Sequence, residues 1–175
     1  MAVKTILPFG EPILRKPAKP VEEMTPKLIR LLDDMGETLY ATDGRAGLAA
    51  PQVGFLRRIV VLDCGDGLIE LINPEIVEAR GVQTGLEACL SFPGYCGNVR
   101  RAQWVKVVSV DRSGQPFTVE GEGFLARCLQ HEIDHLNGVL FVDHVQEQWL
   151  YHEQKSHRIP LLDVVRLTHA GGAPL

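Results

Sequence analysis

The segment His131-Glu132-Ile133-Asp134-His135 constrains this chain more than any other. Histidines four residues apart share one face of a helix, so both imidazoles can reach one metal ion. Glu132, one residue after the first of them, can flank an open coordination position and accept a proton from water there. The neighbours Phe124, Leu125, Cys128, Leu129 and Ile133 are apolar at helical spacing. They predict a helix over about 123–136 that is central to the fold rather than superficial. Asn137-Gly138 ends it, glycine being suited to the left-handed position after a helix.

The rest of the chain supplies what such a helix could pack against. Pro8, Pro12, Pro17 and Pro20 keep the first twenty residues from propagating a helix and predict an extended arm that wraps the domain. Thr25 is an N-cap and Pro26 a first helical residue. Leu28, Ile29, Leu31, Leu32, Met35 and Leu39 follow at helical spacing, with an end near Asp43-Gly44. Residues 57–63 and 68–72 read as short strands, the second stopped by Asn73-Pro74, and 104–110 with 117–120 as a hairpin turning at Asp111-Arg112-Ser113-Gly114. Residues 85–94 read as an irregular, turn-rich segment, and 139–142 as one more strand. The stretch from Gln148 is polar, with helical character up to Arg158. Strands followed by a helix, without regular alternation, give an α+β class: mixed antiparallel sheets around the metal-binding helix, an N-terminal helix and a C-terminal tail. The 175 residues make one domain, with a variable tail at about 148–175.

Two histidines leave a metal under-ligated, because catalytic zinc-type sites use three protein ligands and a water. The chain has 6 His and 4 Cys from which to complete the set. Cys128 lies three residues before His131, but it is seven from His135, about 10.5 Å along a helix axis, and reads better as a core thiol. Glu153 in the tail is a further candidate. Cys89 lies in the turn-rich segment, where a side chain and backbone amides can be presented together. Taken alone, a cysteine there is as readily a small buried hydrophobe.

Three segments taken together resemble peptide deformylase: Gly47-Leu48-Ala49-Ala50-Pro51-Gln52, then Glu87-Ala88-Cys89-Leu90-Ser91, then His131-Glu132-Ile133-Asp134-His135. Pro12-Ile13-Leu14-Arg15 and Leu136-Asn137-Gly138-Val139-Leu140-Phe141 extend the likeness to about residue 145. The resemblance implies that Cys89, His131 and His135 hold one divalent metal, Fe²⁺ in the cell with Zn²⁺, Ni²⁺ or Co²⁺ also able to bind. It implies that Glu132 is the general acid and base. Gln52 and the backbone N–H of Leu90 would hydrogen-bond the formyl oxygen as it becomes an oxyanion. Gly47 would contact the peptide, and Arg101 would stand on the substrate side. The implied reaction removes the formyl group from N-formyl-methionyl peptides and nascent chains, with transient ribosome association possible.

Two positions depart from the family pattern. Arg45 stands where the first motif usually has glycine, and Ala88 where the second has glycine. A glycine permits positive φ and close approach to the backbone, so Arg45 is expected to narrow or recharge the substrate entrance. An enzyme with altered substrate preference is therefore one alternative. A zinc endopeptidase, resting on the His131–His135 segment alone, is another. A protein that binds formylated ligands without turnover is a third, opposed by the presence of both Glu132 and Gln52. Lys plus Arg is 18 against 22 for Asp plus Glu, a net charge of −4, which disfavours direct nucleic-acid binding. No apolar stretch approaches a membrane span and the N-terminal segment has no signal-peptide core. The expected location is the cytoplasm, where the four cysteines would be reduced. Cys64 and Cys96 read as structural or incidental. Asp134 could orient a ligand or an arginine, or simply sit in a surface pair.

Overall fold

Four early prolines leave the backbone amides of the N-terminal arm free to bond elsewhere, and they do. The computed structural model describes residues 2–169. In it Leu7 N–H donates to Gln52 O, Phe9 N–H to Ser91 O and Ala18 N–H to Leu136 O, each at 2.8 Å. A single 3₁₀ turn, Pro12–Arg15, interrupts the arm and buries Leu14. The arm thus touches the first two motif segments and the end of the helix that carries the third.

Helix α1 (Pro26–Tyr40) starts as its sequence predicts, with the Thr25 side chain accepting from Leu28 N–H. It ends at Tyr40, a turn earlier than the glycine suggests. Strands β1 (Gly47–Ala49) and β2 (Ile59–Leu62) flank a 3₁₀ turn, Ala50–Val53. Strand β3 (Ile69–Arg80) runs straight through Asn73-Pro74, where the sequence predicts a stop. The register slips there, between Ile72 and Glu75, and Asn73 takes φ 51°. Asparagine tolerates that conformation, and its side-chain amide clamps Val21 by two 2.8 Å hydrogen bonds. The missing N–H of Pro74 is harmless in a bulge.

Residues 85–94 are regular rather than irregular. Strand β4 (Gln83–Cys89) and strand β5 (Phe92–Arg101) form a hairpin that turns through Leu90 and Ser91. Strands β6 (Trp104–Val110) and β7 (Pro116–Glu122) form the expected second hairpin. Helix α2 (Gly123–Leu136) follows directly. Residues 139–142 are not a strand; a 3₁₀ turn spans Phe141–Asp143. Nor is the stretch to Arg158 helical. Strands β8 (Trp149–His152) and β9 (Arg158–Pro160) pair, and helix α3 (Leu161–His169) closes the described chain.

The strands make two antiparallel sheets, β1-β2-β3-β6-β7 and β4-β5-β8-β9. Alternation along β2 explains how the first sheet serves two helices. Ile59 and Val61 join Leu31, Leu32, Met35 and Leu39 of α1 in one apolar cluster. Val60 and Leu62 join Ala126, Leu129, Ile133 and Leu136 of α2 in another. Period-2 side chains on a sheet with a helix on each face require this division. The opposite side of α2 carries polar groups, and they meet β4 and β5. No helix among the described residues is long and apolar enough to cross a membrane.

Candidate metal centre

Cys89 ends β4 immediately before the turn, and Glu87, two residues earlier, points the same way; both are about 6% exposed. Two-residue spacing on a strand puts both side chains on one face. On α2, Arg127, His131 and His135 recur every four residues and share the face turned towards that hairpin. One ligand atom each from Cys89, His131 and His135 therefore converge, all within 4.8 Å of one another. Cys89 Sγ lies 3.4 Å from His135 Nε2.

A thiolate and two imidazoles suit a borderline or soft divalent metal with an open fourth position. The surroundings fit such an ion. His131 Nδ1 lies 2.7 Å from Glu87 Oε1, and donating that proton leaves the lone pair of Nε2 for a metal. Glu132 Oε2 and His135 Nδ1 are buried with no hydrogen-bond partner among the described residues. Glu153 and Cys128, the other sequence candidates for a third ligand, lie outside this group. Both line the adjoining cleft.

Glu87 is itself held. Arg101 forks onto its two oxygens at 3.0 and 2.7 Å, and Arg127 Nη1 donates at 2.7 Å. Burial alone would raise the Glu87 pKa, but His131 and Arg101 outweigh it and hold the carboxylate far below the usual range. Arg101 also donates to Asp134 Oδ2 at 2.6 Å, which contacts His144 Nε2 at 2.9 Å. Asp134 thus orients an arginine, one of the two roles its spacing allowed. Arg101, expected on the substrate side, is 7% exposed and committed to these two carboxylates. It does not line the cleft. Glu87 and Arg127 carry no role in the sequence reading. The strand and helix periodicities that place them beside Cys89 and His131 are the signals that could have found them.

The cleft beside the three ligands has a volume of about 720 Å³ and is lined by Gly47, Gln52, Leu90 and Glu132, with Arg45 and Ala88 among its other residues. Gln52 is fixed from two sides. Its Oε1 accepts from Ala49 N–H at 2.9 Å, so its amide NH₂ must point inward. Nε2 then lies 3.6 Å from Cys89 Sγ and 3.2 Å from Ser91 Oγ. Glu132 is 5% exposed, and burial pushes its pKa up to about 7. Gly47 packs directly on it: a Cβ there would fall 2.8 Å from Glu132 Cδ and 2.9 Å from Cγ. Arg45 lines the cleft, but its Nη1 donates to Thr38 O in the last turn of α1.

Comparison with known proteins agrees with this geometry. Residues 3–149 match the family profile described as Polypeptide deformylase. The chain is 58% identical over 145 residues to a peptide deformylase of Caldanaerobacter subterraneus, covering 83% of this chain and 91% of that one. It is 52% identical over 143 residues to a peptide deformylase of Carboxydothermus hydrogenoformans, covering 82% and 93%. Among solved structures, the peptide deformylase of Thermotoga maritima superposes with a TM-score of 0.81 at 42% identity, over 84% of this chain and all of that one. That of Synechococcus elongatus, solved in complex with actinonin, gives 0.79 at 37%, over 97% and 86%.

Proposed function

The chain belongs to the polypeptide deformylase family, whose members are metalloenzymes that remove a formyl group, and on that footing we propose how its own residues do so. The observation that carries the reading is one cleft in which an unpartnered Glu132 Oε2, the inward amide of Gln52 and the Cys89–His131–His135 group face the same space. When bound by those three residues, a divalent metal supplies Lewis acidity that makes water a usable nucleophile near neutral pH.

Glu132, with a pKa of about 7, takes the proton of the attacking water on Oε2 and returns it to the departing amine. Such a pKa lets one carboxyl serve in both directions near neutrality. Gln52 Nε2 and the Leu90 N–H donate to the formyl oxygen as negative charge develops on it. A preorganised donor of this kind contributes on the order of 10²–10³ in rate. Because Ala49 holds Gln52 Oε1, the amide pays no reorientation at the moment of reaction. Glu87 fixes the His131 ring. Arg101 acts through Glu87 and is a positioning residue. Gly47 lets the backbone pass over Glu132 without displacing it.

We propose N-formyl-methionyl peptides as substrates, nascent chains as their source and the cytoplasm as the place of action. Fe²⁺ is the proposed physiological metal, and its thiolate ligand makes the site sensitive to oxygen. The relatives named peptide deformylase, one of them solved in complex with actinonin, support this substrate class. An endopeptidase built on the His131–His135 helix alone is disfavoured, because the third ligand-type atom in place is a thiol on the hairpin turn rather than Glu153. The test is formate release from formyl-Met-Ala by anaerobically Fe²⁺-loaded protein. Glu132→Gln should retain metal and lose release. Absence of formate from the loaded wild-type chain overturns the reading.

A further inference from the structure

One wall of the cleft is a loop with few ties of its own. Every residue from Ala41 to Gly47 lines the cleft. The loop is fixed at its ends, by α1 before it and by Asp63 N–H, which donates to Ala46 O at 2.9 Å. In between, Asp43, Gly44 and Arg45 make no backbone hydrogen bond to another element among the described residues. The tie in the middle is a side chain. Arg45 Nη1 reaches back seven residues and donates to Thr38 O in the last turn of α1.

We infer that Arg45 is a positioning residue: its bond to Thr38 O holds the loop between Ala41 and Ala46 in the shape that receives a peptide, and its charge answers the end of α1 rather than the substrate. Thr38 O is among the last four carbonyls of α1, which have no partner within the helix. Thr38 is 0% exposed, so a donor there removes the cost of an unsatisfied buried acceptor. Helix α1 has no basic residue in its last turn, and the helix dipole favours a cation at that end. Thr38 holds more than the loop. Its Oγ1 accepts from Lys4 N–H at 2.8 Å and donates to Asp34 O at 2.6 Å. Lys4 lines the cleft too, and its Nζ pairs with Asp34 at 2.8 Å. Arm and loop are thus hung side by side on the last turns of α1.

From sequence, Arg45 is expected to narrow or recharge the entrance. Its contact with α1 directs its effect to order instead. A loop already held when the peptide arrives costs less to immobilise on binding. Glu132 and the three ligand-type residues sit on α2 and β4, outside the loop. Gly47, which abuts Glu132, is fixed independently by pairing with Leu62 of β2. Loosening the loop should therefore raise KM and leave kcat nearly unchanged. What the loop receives rests on the deformylase reading; the tie itself does not.

Arg45→Met keeps an unbranched stem and removes both donor and charge. In the Zn²⁺-loaded full chain, nitrogen-15 relaxation should show lower order parameters for the amides of 43–45 in the variant than in the wild type. In formate release by the anaerobically Fe²⁺-loaded proteins, KM should rise by roughly 2–10-fold, the range that one hydrogen bond supports, with kcat nearly unchanged. The rise should be alike for formyl-Met peptides carrying Glu, Ala or Lys as the next residue. Arg45→Ala repeats both measurements should the first variant fail to fold. Unchanged order parameters, an unchanged KM, or KM shifts of opposite sign for the Glu and Lys peptides overturn the inference. The last result would mean that the charge acts on the substrate. Without formate from the wild-type chain the deformylase reading falls, while the relaxation measurement still decides the tie.

Discussion

Gly47 and Glu87 show how much of the centre depends on residues that ligate nothing. A methyl group at position 47 would meet the Glu132 side chain within 2.9 Å, so Gly47→Ala must shift the carboxylate or the strand. Displacing a reacting group by about 1 Å can cost on the order of 10²-fold. We expect Gly47→Ala to lose kcat by roughly that factor while metal content stays stoichiometric, as measured by metal analysis beside formate release. Glu87→Gln should do the reverse first. It removes the charge that fixes His131, and removing such a partner weakens metal affinity by about 10–100-fold, measurable by competition with a chelator. At this scale the sequence was legible where function rests on local spacing. His131, Glu132 and His135 announce themselves within five residues. Cys89 and Gln52 needed resemblance to other chains, because nothing near them forbids an ordinary buried thiol or a loop amide. Arg101 was misplaced because its partners, Glu87 and Asp134, are 14 and 33 residues away. No local pattern says which of several arginines will be spent on a buried carboxylate.

Helices carried by a clear 3.6-residue period were readable to within a turn. Strand ends were not, and the failures share a cause. Asn73-Pro74 has the chemistry of a stop, yet β3 continues because the Asn73 side chain bonds Val21 from the distant arm. Strands β8 and β9 look polar because they pair with β5 and each other rather than bury a full face. The end of α2 is a similar junction. Gly138 has φ 72°, and a Cβ there would meet Arg15 O at 2.5 Å, so position, not preference, demands glycine. Next to it Arg15 donates to Asp143 Oδ1 at 2.9 Å and to Thr168 Oγ1 at 2.6 Å, joining the arm, the α2 exit and α3. Burial raises the Asp143 pKa, but Arg15 and the Leu140 N–H outweigh it, and the net shift is downward. A depressed carboxylate stabilises the fold above its unfolded pKa of about 3.9 and loses that contribution as pH falls through the folded value. We expect Asp143→Asn to cost about 1 kcal/mol at neutral pH, a charge-assisted bond discounted for partial exposure. The difference from wild type should shrink below about pH 4. Urea melts at several pH values decide it, and a constant difference across that range would remove the ion pair as the cause.

Across the whole molecule, the ligands come from two layers. Cys89 belongs to the hairpin of the four-stranded sheet, whereas His131 and His135 belong to a helix whose apolar face packs on the five-stranded sheet. Buried ion pairs such as Glu87–Arg127, at 2.7 Å, also join the layers, beside apolar contacts such as that of Leu90. Pairs of this kind specify geometry but add little net stability, because desolvation offsets their attraction. A bound metal is then a tie between layers as well as a catalyst. Free metal at 100 times its dissociation constant adds about 2.7 kcal/mol to the folded state. For a chain of this size each kcal/mol moves the melting temperature by roughly 2–4 °C. Chelation should therefore lower the melting temperature of the wild-type chain by about 5–10 °C. In Cys89→Ala, which removes the ligand that the four-stranded sheet contributes, the same chelator should have little effect. Calorimetry of both proteins with and without chelator checks this. An equal shift in the two would mean that the histidines bind the metal without the hairpin, and that the layers are held together by packing alone.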